Sequence, residues 1–93
     1  MNNKQTPVTI ESLKAVGFLY AESTTYDGFS FCDYEGSRGH VHCYFQDGEL
    51  EGIAVWDLEN TKCERHVHLE ADDDKLGKCT VELLLWFVDV FCE

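Results

Sequence analysis

The chain is 93 residues long, with seven Lys and Arg against eighteen Asp and Glu, so its formal net charge is −11 with the four histidines neutral, and 44% of its residues are hydrophobic. That length suits one small domain, and so large an apolar share argues against disorder. The acidity excludes the usual nucleic-acid reading, in which Lys and Arg hold phosphates, and would repel an anionic membrane surface.

Residues 1–7 read as a flexible polar tail with no apolar core of a signal or transit peptide, and residues 8–93 as a single domain. No apolar run reaches the ~20 residues of a membrane span. Five cysteines, Cys32, Cys43, Cys63, Cys79 and Cys92, are odd in number and lack C-x-x-C spacing. This fits neither a disulfide framework nor a zinc ribbon, and the expectation is reduced thiols in a cytoplasmic protein.

Thr9 is placed as an N-cap, Val8 and Leu13 as a hydrophobic staple and Gly17 as the residue beyond the helix end, so 10–16 reads as a two-turn helix. Its apolar stripe is Ile10, Leu13 and Val16. From Phe18 to Leu69 the period becomes two, with turn signals at Asp27-Gly28, 36–39, Asp47-Gly48 and 59–61. Strands are expected near 18–25, 29–35, 40–46, 50–57 and 63–69, joined by connections too short for parallel crossovers.

Parity puts Val41, Cys43, Phe45, Ile53, Val55, Cys63, Val67 and Leu69 inward and His40, His42, Tyr44, Trp56, Glu64, His66 and His68 outward. Arg65 interrupts the inward set and is expected at an edge or snorkelling outwards. A two-residue Asp47-Gly48 turn with unbroken pairing would set His42 beside Ile53. A three-residue turn is therefore expected, with Gly52 opposite His42 and Ala54 opposite both His40 and His66. Thr80 is then an N-cap, with Cys79 and Leu84 as a staple, for an almost wholly apolar helix over 81–92.

The predicted fold is α+β: a short N-terminal helix, an antiparallel meander of four or five strands and a C-terminal helix, with both helices on one face. The remaining core candidates are Phe18, Phe29, Phe31, Leu83, Phe87, Val88 and Phe91. The alternation leaves open whether Phe29 and Phe31 or Cys32 and Tyr34 face inward.

Three features could carry function. His40, His42, His66 and His68 form two His-x-His pairs on one sheet face, where with Glu64 they could hold zinc or nickel. Leu85 and Trp86, framed by Glu82 and Asp89, form an apolar contact patch on the C-terminal helix. Clusters that include Asp72, Asp73 and Asp74 fall in the turns, where they would steer a basic partner.

No phosphate loop, nucleophile elbow or H-E-x-x-H motif appears, so an enzyme is not expected. By size and charge alone the chain is similar to small acidic inhibitors, such as bacterial immunity proteins or phage proteins that block host defence enzymes. The leading expectation is a protein-binding module that occludes a basic site, nucleic-acid-binding or catalytic, on a larger partner. Acidic steering would combine with an aromatic anchor, Trp86 or Trp56. The alternatives are a metal- or small-ligand-binding module on the histidine face and a homodimeric accessory protein paired through its C-terminal helices.

Overall fold

A computed structural model describes residues 5–57 and 65–93. Thr9 caps the first helix, α1 (Ile10–Ala15), by accepting from the Ser12 amide, and Ser12 Oγ accepts in return from the Thr9 amide. The reciprocal pair satisfies two amides that a helix start leaves orphaned. Gly17 takes φ +102° beyond the helix end, as expected. Only Leu13 of the predicted stripe is fully buried. Val16 is 38% exposed, because the helix ends at Ala15 and leaves it as the C-cap.

Five strands follow as an antiparallel meander in the order β1 (Leu19–Glu22), β2 (Phe29–Glu35), β3 (Gly39–Gln46), β4 (Glu49–Asp57) and β5 (Arg65–Glu70). The predicted alternation holds in β3 and β4, where Val41, Cys43, Phe45, Ile53 and Val55 are all fully buried. In β2 the inward set is Ser30, Cys32 and Tyr34. Phe29 and Phe31 pair with Gln46 and Tyr44 on the other face, which removes them from the core.

The hairpin between β3 and β4 departs from expectation in an informative way. Its loop is the two residues Asp47 and Gly48, both at positive φ (52° and 85°), which matches the twist of an antiparallel pair. The extra residue demanded by the hydrophobic pattern enters as a bulge one step further on. Tyr44 pairs with Gly52 and Phe45 with Leu50, leaving Glu51 over. Cys43 thus meets Ile53, while His42 lies opposite Ala54 and His40 opposite Trp56. A second irregularity pairs Val55 with Val67 and Trp56 with Arg65, so Ala54 is flanked by His42 and His68 and not by His40 and His66.

Both helices cover the inward face. The C-terminal helix α2 (Val81–Phe87) is capped by Thr80, whose side chain accepts from the Leu83 amide. Cys79 and Leu84 are both buried as the staple requires. The α-helix does not run to Cys92, however, but widens into a π turn at Val88–Cys92. The widening turns Cys92 fully inward and leaves Phe91 half-buried, while Leu83 lies on the outer side at 38% exposure.

This end of the chain is held by Arg38. Its backbone amide donates to the Cys92 carbonyl, and its guanidinium donates to the carbonyls of Val90 and Glu93. Leu13, Phe18, Leu76, Cys79, Val81, Leu84, Phe87, Val88 and Cys92 close one continuous core with the inner face of the sheet. The tail is not wholly free of the domain. Thr6 donates to Glu82 through both its amide and its hydroxyl, its carbonyl accepts from the Val81 amide, and Pro7 bridges to Thr80. Among the described residues no helix is long and apolar enough to cross a membrane.

Candidate functional site: the outer sheet face

With both helices on the inner face, the alternating residues of β2, β3 and β4 project from the opposite side. Phe31, Asp33 and Glu35 come from β2, His40, His42 and Tyr44 from β3, and Ala54 and Trp56 from β4. Their rings form a connected set. Phe31 stacks on His42 at 5.2 Å between centroids, Tyr44 packs on the other neighbour position of His42 at 5.7 Å, and His40 lies almost parallel to Trp56 at 6.0 Å.

Small residues on β4 make room for these rings. A Cβ at Gly52 would fall within the Tyr44 ring, and Ala54 is nearly buried between His42 and His68. His40, His42 and Trp56 together line a shallow, mostly apolar cleft of about 370 Å³.

The polar chemistry of this face is set across the strands. His42 Nδ1 donates to Asp33 Oδ1 at 2.5 Å, because the register places the two residues directly opposite one another. His68 Nε2 lies 3.3 Å from Glu70 Oε1 on β5. His40 Nδ1 is buried and has no hydrogen-bond partner among the described residues. Sequence reasoning missed Asp33, since the alternation of β2 did not say which of its two sets faces outward.

The two alternative aromatic anchors lie on opposite layers. Trp56 belongs to the open sheet face, whereas Trp86 lies on the helical layer across the sheet, 54% exposed and packed edge-on to Phe91. Leu85 and Asp89 are exposed near Trp86. Glu82 is not part of a free acidic frame, because its carboxylate holds Thr6. Among the described residues no three His, Cys, Asp or Glu side chains come together as a metal centre. Cys63 and Glu64, and the side chains of Asp57, Arg65 and His66, lie outside the described residues, as does Glu59.

The acidic residues gather where the meander dictates. The turns after β1 and β3 and the segment after β5 all emerge at one end of the sheet, carrying Glu22, Asp27, Asp47, Glu49, Glu70, Asp72, Asp73 and Asp74. The first two turns are joined by the Asp47 amide donating to the Gly28 carbonyl. Asp73 Oδ1 accepts from the Lys75 amide, which ties the third segment into a turn of its own.

The four described cysteines, Cys32, Cys43, Cys79 and Cys92, are buried and stand apart from both surfaces. Burial pushes the thiols of Cys32, Cys79 and Cys92 upward, and that of Cys43 well upward, with nearby acids adding to the effect. Thiols of this kind are poor nucleophiles and pack as small apolar groups. Comparison of the chain with protein-family models, with curated proteins and with solved structures finds no match.

Proposed function

We propose that the chain is a protein-binding module that occludes a basic site, nucleic-acid-binding or catalytic, on a larger partner, as phage anti-defence and bacterial immunity proteins do. The observation that carries this reading is the pooling of carboxylates from three connections at one end of the sheet, in a chain of net charge −11. Such a concentration of one sign speeds encounter with a basic surface and rejects acidic competitors. The aromatic residues of the adjoining sheet face supply the apolar contact that steering alone lacks.

The test is capture on immobilised protein at low and high salt, comparing the wild type with a form in which Asp72, Asp73 and Asp74 are all replaced by Lys. The expected partner is basic, is released by salt, and associates about tenfold more slowly with the charge-reversed form. Unchanged capture with unchanged salt dependence would discard the reading.

A second reading, a homodimeric accessory protein, is favoured by one separate observation. Leu83, Trp86 and Val90 recur along one stripe of the C-terminal segment and are all exposed, with Leu85 beside them. Pairing of two copies would bury this stripe. Sedimentation over a range of concentration distinguishes the two, since a dimer dissociates on dilution and Trp86→Ala shifts it to monomer.

A further inference from the structure

We infer that a second copy of the chain docks on the open edge of β1, with the two β1 strands antiparallel about a two-fold axis at Ala21, so that two five-stranded sheets become one. The backbone groups that β1 leaves unused point to this. β1 ends the strand order and pairs only with β2. The Ser23 amide donates to the Phe29 carbonyl, so in this register the odd-numbered residues of β1 turn their N–H and C=O groups towards β2. Those of Tyr20 and Glu22 therefore point out of the sheet, and all four residues of the strand are exposed.

The limits of this free edge fix the register. At one end the Phe18 amide already donates to the Leu13 carbonyl, and at the other the Thr25 and Tyr26 amides donate to Ser23 Oγ. An axis at Ala21 sets Tyr20 of each copy opposite Glu22 of the other, and every outward N–H and C=O of these residues then has a partner. An axis at Tyr20 would turn Glu22 towards the occupied Phe18 amide. One at Glu22 would set two carboxylates face to face. Ala21 itself forms the close pair of the ladder, at ~4.5 Å between Cα atoms, where a small side chain fits.

Side chains and charge favour the same register. Tyr20 pairs with the inward-facing Cys32, so Tyr20 and Glu22 lie on the helix side of the sheet, where Lys14 Nζ stands 5.5 Å from the centre of the Tyr20 ring. Glu22 of the second copy arrives opposite that ring and beside Lys14, and symmetry repeats the contact. On the other side Leu19, 75% exposed, lies diagonal to Ala21 of the second copy and loses water there. The antiparallel arrangement also sends the two acidic ends to opposite ends of the joined sheet, which keeps the carboxylate pools of a chain of net charge −11 apart. This edge is separate from the C-terminal stripe of Leu83, Trp86 and Val90, and pairing there needs no basic partner.

Sedimentation of the full chain over a range of concentration tests the pairing. A dimer should form, persist in Trp86→Ala and weaken about tenfold in Ala21→Glu, which sets two like charges across the axis. Glu22→Lys should weaken it as well, and adding Lys14→Glu should restore it by recreating the pair with its signs exchanged. Unchanged circular dichroism verifies that each variant folds. In a Cys63→Ser background, oxidation with copper phenanthroline should join Ala21→Cys chains by a disulfide faster than Leu19→Cys chains. Both positions are exposed, but only position 21 meets itself across the axis.

A monomer at every concentration would overturn the pairing. So would a dimer that Ala21→Glu leaves intact, one that Trp86→Ala dissociates, or equal disulfide formation at positions 19 and 21. None of these results bears on salt-sensitive capture of a basic partner, so the two proposals fail separately.

Discussion

A side chain at position 52 has nowhere to go, because the Tyr44 ring lies over the backbone there. Gly52→Ala must push Tyr44 from its packing beside His42, and should cost about 1–3 kcal/mol in denaturant unfolding while disturbing the cleft. The buried thiols make a second test at this scale. Cys32, Cys43, Cys79 and Cys92 should react with a disulfide reagent at pH 8 only as fast as the protein unfolds, and fully in denaturant. Prompt labelling of any of the four in the native protein would contradict their burial.

At the scale of elements, two fixings of the C-terminal segment are separable. Thr80→Ala removes the acceptor for the Leu83 amide and should lower stability by about 1 kcal/mol. Arg38→Ala removes two guanidinium hydrogen bonds to the carbonyls of Val90 and Glu93, but keeps the backbone bond to Cys92. It should cost about 1–2 kcal/mol, with hydrogen exchange rising first in the π turn Val88–Cys92. An effect spread evenly over the sheet would show that Arg38 supports the whole fold and not this turn.

Across the whole molecule, net charge and buried thiols each limit stability in a testable way. A net charge of −11 repels itself in the compact state, so added salt should raise the melting temperature at neutral pH. Raised thiol pKa values act on the alkaline side. Unfolded cysteines lose protons near the ordinary value of ~8.5 while the buried ones keep theirs, which favours the unfolded chain. Their contribution is therefore complete below that pH and is lost as pH climbs through the raised folded values. Melting curves from pH 7 to 10 in constant salt should show this decline, and replacing Cys43 by Ala should reduce its slope, whatever that substitution costs in packing.

The period-two pattern and the two Thr caps were enough to specify the meander, the helices at either end and the inward set of β3 and β4, because local spacing alone fixes which side chains share a face. The conflict between a two-residue turn and the hydrophobic pattern was equally legible: one extra residue had to enter the hairpin. Only tertiary packing placed it at Glu51 in a bulge, since turn and bulge restore the same parity. That choice aligned His42 with Ala54 and His40 with Trp56. Likewise β2 alternates two apolar sets, and it was the core offered by both helices that drew Cys32 and Tyr34 inward and left Phe31 and Asp33 beside His42. The candidate cleft is thus a matter of register between strands, which depends on long-range pairing and burial and not on the spacing of residues along any one of them.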